Sequence, residues 1–110
     1  QHYTIAFGAE LIIDPTYWRV TLNGQLIELT HKEFSLLYCL ASHREQVLSK
    51  EQLYHHVWKD DSEINLDATI KSHISTLRQK LSLQGKNYIE NVRGVGYRFT
   101  IDVKHSETAN

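Results

Sequence analysis

Residues 88–100, YIENVRGVGYRFT, leave little choice of local structure. Two stretches of alternating apolar side chains flank Arg93-Gly94-Val95-Gly96, and such alternation is the period of a half-buried strand. Paired glycines between the runs mark a tight turn, so Gly94 and Gly96 are both expected at positive φ in a β-hairpin. The preceding segment has another period. Ile70, Ile74, Leu77 and Leu81 stand four, three and four residues apart, the stripe of an amphipathic helix that begins near Asp67 and is stopped by Gly85. A helix leading into a glycine-tipped hairpin therefore organises the last third of the chain.

The first thirty residues read as short strands. Tyr3-Thr4-Ile5-Ala6-Phe7 alternates up to Gly8, and Leu11-Ile12-Ile13 ends at Asp14-Pro15. Trp18-Arg19-Val20-Thr21-Leu22 alternates again, and Asn23-Gly24 turns the chain into Leu26-Ile27-Glu28-Leu29. An antiparallel sheet of up to four strands follows from this pattern. Two capping boxes then open helices. Thr30-His31-Lys32-Glu33 precedes a helix with Phe34, Leu37, Leu40 and Ala41 on one side, and Ser49-Lys50-Glu51-Gln52 precedes a shorter one carrying Leu53, Val57 and Trp58. Residues 59–66 are polar and acidic and read as a loop. The expected fold is α+β: a winged helix-turn-helix with a four-stranded N-terminal antiparallel sheet, three helices and a C-terminal β-hairpin wing. At 110 residues it forms one domain, which we place at residues 1–103 with a polar tail at 104–110.

The overall charge of −1 conceals a division along the chain. Residues 1–67 carry five Lys/Arg against ten Asp/Glu, whereas residues 68–98 carry six (Lys71, Arg78, Lys80, Lys86, Arg93, Arg98) against Glu90 alone. The basic block coincides with the third helix and the hairpin, which suits one anion-binding face. Charge also varies between segments by chance, so the division alone does not decide.

Side-chain chemistry adds to it. Outside the apolar stripe the third helix presents Thr69, Lys71, Ser72, His73, Ser75, Thr76, Arg78, Gln79 and Lys80, with no carboxylate among them. Hydroxyls and imidazole donate or accept towards base edges, and Lys and Arg neutralise phosphates. An ordinary solvated helix face mixes charges and is rich in glutamate, so we read these positions as a DNA-recognition surface. Arg93 at the base of the glycine turn suits a minor groove, where negative potential favours a guanidinium, though it also fits an exposed strand end. Trp18 and Trp58 read as core anchors, but Trp58 ends its helix where an indole N–H also reaches a phosphate.

Other functions find less support. Gly-Val-Gly lacks the third glycine of a nucleotide loop and precedes a strand. The seven histidines are scattered, and Cys39 with His43 makes only one helical pair, so no metal or cofactor is expected. Cys39 lies among apolar residues and reads as a small core side chain; no constellation marks an activated nucleophile, and an enzyme is not expected. No apolar run approaches the roughly 20 residues of a membrane span, and the polar first residues do not read as a signal peptide. With a single cysteine, a cytoplasmic setting is expected. The absence of an initiating methionine suggests a segment of a longer protein.

From Ile5 to Ile101 the chain resembles the DNA-binding output domains of OmpR/PhoB-type response regulators. The resemblance is carried by Asp14-Pro15, Arg19-Val20, Leu29-Thr30 with Glu33-Phe34 and Leu36-Leu37, and Val47-Leu48-Ser49 with Glu51-Gln52-Leu53. It continues through Val57-Trp58, His73-Ile74, Leu77-Arg78, Lys80-Leu81 and the run Val92-Arg93-Gly94-Val95-Gly96-Tyr97-Arg98-Phe99. It implies transcription regulation in a two-component phosphorelay, with an upstream receiver domain, a cognate histidine kinase, and tandem binding to direct-repeat half-sites of double-stranded DNA. It further implies phosphate contacts from the positions of Lys50, Trp58, Thr69, Arg78 and Tyr97, groove-facing roles for His73 and Thr76, and a minor-groove role for Arg93. The loop 59–66 matches the segment that touches RNA polymerase. Where well-known members carry arginines on the recognition helix, this chain has Ala68, Ser75 and Thr76, so a target sequence does not transfer. The alternatives are a membrane-anchored regulator of the same fold, with this domain in the cytoplasm, and a winged helix used for protein–protein contact.

Overall fold

The computed structural model describes residues 4–7, 10–59, 65–81 and 88–100. Four short strands, β1 (Ile5–Phe7), β2 (Leu11–Asp14), β3 (Arg19–Leu22) and β4 (Gln25–Ile27), pair antiparallel in chain order. Asn23 and Gly24 both have positive φ (53° and 83°), as the two-residue turn between β3 and β4 requires. The alternation of β2 and β3 points Leu11, Ile13, Val20 and Leu22 inward, where all four are buried. Helices α1 (His31–Ser42), α2 (Lys50–Trp58) and α3 (Leu66–Leu81) follow, and then the hairpin β6 (Ile89–Val92) and β7 (Gly96–Phe99).

Both capping boxes form. The Thr30 hydroxyl accepts from the Glu33 N–H and Glu33 Oε1 accepts from the Thr30 N–H, with the same exchange between Ser49 and Gln52. The stripe of α3 buries Ile70, Ile74, Leu77 and Leu81 against Leu36, Leu37 and Leu40 of α1 and Leu53 of α2 in one core. Phe99 of β7 closes that core, with Phe7 at 5.0 Å and Tyr88 at 5.9 Å between ring centroids. The Tyr88 hydroxyl donates to the Glu10 carboxylate, which ties the first sheet to the hairpin.

At three places the fold departs from what the sequence pattern predicts. The C-terminal unit has three strands in the order β5-β7-β6, because β5 (Val47–Leu48) pairs with Arg98 and Tyr97 of β7. Trp18 is neither a strand residue nor a core anchor. It sits at φ 51°, is 51% exposed, and stacks on His31 (4.3 Å) at the rim. The turn after Asp14, whose carboxylate accepts from the Thr16 N–H, rotates Trp18 out of the alternation. Finally, only Gly94 has positive φ (79°); a side chain at Gly96 would instead lie 2.0 Å from the Leu48 carbonyl oxygen. Gly85, the tail 104–110 and the boundary at residue 103 lie outside the described residues.

Glu33 is the one buried charged residue of the described core, and it also accepts from Lys80 Nζ of α3 at 2.6 Å. Burial pushes its carboxyl up, but the Lys80 hydrogen bond, the Thr30 N–H and the charges of Lys80 and His73 outweigh it and hold the group below the usual glutamate range. A carboxyl lowered on folding contributes stability that is complete above its unfolded pKa of about 4.3 and is lost as pH falls through the folded value. Lys80→Met is therefore expected to lower stability by about 1–3 kcal/mol at neutral pH, with the gap to wild type closing below about pH 4. Urea unfolding across pH checks this; a gap independent of pH would contradict it.

Gly96→Ala is expected to destabilise by at least about 2 kcal/mol, because backbone rather than a yielding side chain meets the added carbon. Gly94→Ala, with nothing within 4 Å, should lose only about 1 kcal/mol, from its backbone conformation. Equal losses in urea unfolding would contradict the close-approach explanation.

Candidate nucleic-acid interface

With its stripe buried, α3 turns Ala68, Lys71, Ser72, Ser75 and Gln79 fully outward, and Thr69 and Thr76 lie half-buried on one flank. The Thr76 hydroxyl donates to the Ser72 carbonyl at 3.1 Å, which leaves its lone pairs free to accept. His73 lies on the same flank but packs inward. Its Nδ1–H donates to the Thr69 carbonyl (2.9 Å), and its ring meets Trp58 edge-on at 5.0 Å. Trp58 in turn stacks on Tyr54 (4.9 Å) beneath the Lys32 ammonium (5.2 Å). His73 and Trp58 thus join the end of α2 to the middle of α3.

On the other flank three elements meet. The N-terminus of α2, Lys71 of α3 and residues 91–97 of the hairpin enclose a notch of about 310 Å³, lined by Lys50, Lys71, Arg93 and Tyr97 among others. Four of the residues expected to contact DNA, from three separate segments of the sequence, converge here. Tyr97 is 5% exposed and so contributes only an edge. Val92 accepts from the Val95 N–H at 2.9 Å, closing the turn that carries Arg93 and the exposed Val95. Gly94 occupies its third position with positive φ.

The basic block does not form one cationic face. Lys80 is drawn under α3 by Glu33, and Arg98 pairs with Glu90 at 3.1 Å. Arg78 grips the Ile89 carbonyl with two N–H groups (3.1 and 2.9 Å) and lies over the Tyr97 ring at 5.9 Å, which pins α3 to the hairpin. Lys86 lies outside the described residues. Lys71 and Arg93 remain outward, joined by Lys50 from the acidic half of the sequence. Asp67, which is not among the residues expected at the site, pairs with Lys50 and lies 4.0 Å from Lys71. The i, i+4 spacing of Asp67 and Lys71 was the available signal.

Burial pushes the Cys39 thiol up to about 11, so it stays protonated near neutrality. His43 Nδ1–H is engaged by the Cys39 carbonyl at 2.8 Å. Among the described residues no three His, Cys, Asp or Glu side chains converge as metal ligands. Most of the loop 59–66, and with it the RNA polymerase expectation, lies outside the described residues.

Arg78→Lys is expected to lose the two-pronged grip on Ile89, lowering stability by about 1 kcal/mol and shifting the amide resonances of β6. Unchanged β6 resonances would show that Arg78 does not hold the hairpin.

Comparison with known proteins gives the same picture from another direction. Residues 24–99 match the family described as transcriptional regulatory protein, C-terminal. The response regulator ArlR of Staphylococcus haemolyticus is 45% identical over 86 residues, covering 77% of this chain and 39% of the relative. The chain thus spans about 40% of the length of the curated relatives it matches. The DNA-binding domain of Klebsiella pneumoniae RstA, solved with the RstA box, superposes with a TM-score of 0.77 at 34% identity, over 90% of this chain and 98% of that one. The DNA-binding domain of CpxR from E. coli superposes with a TM-score of 0.76 at 37% identity, over 89% and 96% of the two chains.

Proposed function

The chain belongs to the C-terminal effector domains of OmpR/PhoB-type response regulators, and from that premise we propose how it binds double-stranded DNA to control transcription. Helix α3 enters the major groove with Ser72, Ser75 and Thr76 towards base edges, while Lys50, Lys71 and Tyr97 seat a backbone phosphate in the notch. Arg93 follows the wing into the adjacent minor groove. The observation that carries this reading is the notch itself, where cations from α2, α3 and the wing line one concavity beside a hydroxyl-rich helix face. Trp58 and His73 set the angle of α3 and supply a phosphate contact from the rear flank with Thr69. Arg78 presents its remaining N–H groups to the backbone from the wing base.

The polar outer face of α3 speaks against a protein-docking helix, which would be apolar there. In the whole protein an upstream receiver domain, phosphorylated from a histidine kinase in the cytoplasm, promotes pairing on direct-repeat half-sites. Residues 59–66 are the segment available to RNA polymerase. The domain proper is residues 1–103, with 104–110 a polar tail. No described helix is long and apolar enough to cross a membrane.

Fluorescence anisotropy on an operator selected from random sequence tests the reading. With Lys50, Lys71, Arg78 and Arg93 as the cations of the interface and one charge of the lysine pair balanced by Asp67, log K against log salt should fall with a slope of about −2.7. A slope shallower than about −1 would contradict it. Ser75→Ala and Thr76→Ala should narrow the gap between operator and random duplex by up to about 1–3 kcal/mol each, whereas Lys71→Ala should weaken both equally. Arg93→Ala should lose most on operators with A·T-rich flanks. Equal losses on all duplexes for every variant would remove the division between reading and positioning.

A further inference from the structure

The only carboxylate on α3 is held by cations that the interface needs. Asp67 stands in the first turn of the helix, its side chain 55% exposed. Its Oδ1 accepts from Lys50 Nζ of α2, and its Oδ2 lies 4.0 Å from Lys71 Nζ one turn along. Both lysines line the notch beside Arg93. Where a phosphate would sit, two ammonium groups thus meet it with one of their charges already balanced. An arriving phosphate must draw the lysines from a partner already in place, and it meets the carboxylate's own field as it does so.

We propose that Asp67 is a built-in competitor of the DNA backbone: it occupies Lys50 and Lys71 in the free domain and holds affinity down on every sequence. The inference rests on reading the notch as a phosphate seat. Exposed ion pairs are individually weak, so the restraint is graded rather than absolute. Glu51 supplies a built-in comparison. It lines the same notch and its charge also acts on Lys50, but more weakly than that of Asp67, which hydrogen-bonds the ammonium.

The test titrates the chain and its variants on a selected operator and on random duplex. Asp67→Asn is expected to bind both about two- to tenfold more tightly, with a log K against log salt slope steeper by up to about 0.9. Glu51→Gln should change affinity less, and the gain from Asp67→Asn should shrink in a Lys50→Gln background, where one captive lysine is already gone. Unchanged or weaker binding by Asp67→Asn, an equal gain from Glu51→Gln, or full additivity with Lys50→Gln would overturn the proposal. If wild type bound neither duplex, the reading beneath the inference would fail, and the inference with it.

Discussion

Two backbones pressed together hold the interface in shape. Gly96 lies so close to Leu48 and Ser49 that a side-chain carbon there would fall 2.0 Å from the Leu48 carbonyl oxygen. The approach lets β5 pair with β7, and β5 leads directly into the Ser49 cap of α2. The start of α2 is thereby fixed against the wing, and Lys50, the first residue of that helix, lines the same notch as Arg93. A larger residue at 96 would push the two apart and scatter cations that only the fold collects. The glycine serves close contact between chain segments, and the positive φ of the turn falls to Gly94 alone.

Charge along the sequence and charge on the surface are different quantities here. Lys80 and Arg98 count towards the basic block but are matched by Glu33 and Glu90, and Arg78 is committed in part to a backbone carbonyl. Lys50 comes from the acidic half and joins the notch. The Glu33–Lys80 pair also does something a free lysine would not. It fastens the capping box of α1 to the last turn of α3, so one carboxylate closes a helix end and positions a second helix.

What was legible in the sequence was local. The capping boxes at Thr30 and Ser49 act over three residues, the Asn23-Gly24 turn over two, and the α3 stripe is a period, so each shows without the partner it packs on. Contacts across the chain did not show. Glu33 and Lys80 are 47 residues apart, and Gly96 and Leu48 similarly remote, so nothing near either residue announces the other. Trp18 failed for a different reason: alternation extrapolated one residue too far into a turn whose hydrogen bond is made by Asp14. In the candidate interface, the residues were recognisable by type, but their grouping was not. The notch gathers Lys50, Lys71, Arg93 and Tyr97, while His73 and Trp58 meet each other on the opposite flank.

The small side chains on α3 then bear on how such a domain would be used. Serine and threonine hydroxyls donate or accept with several bases, whereas a bidentate arginine selects guanine. With Ser72 and Ser75 outward, Thr76 half-buried beside them and no arginine on the exposed face, each base contact such a helix could make would discriminate modestly. Among the described residues, carboxylates engage several of the cations, which would further limit the affinity of one domain. Weak individual sites become selective when two must be filled together, because linkage turns the second binding event into an intramolecular one, and mismatches at both sites multiply. A domain that bound DNA in the proposed way would gain most from acting in pairs. Any event that brings two copies together would change occupancy far more than a change within either interface.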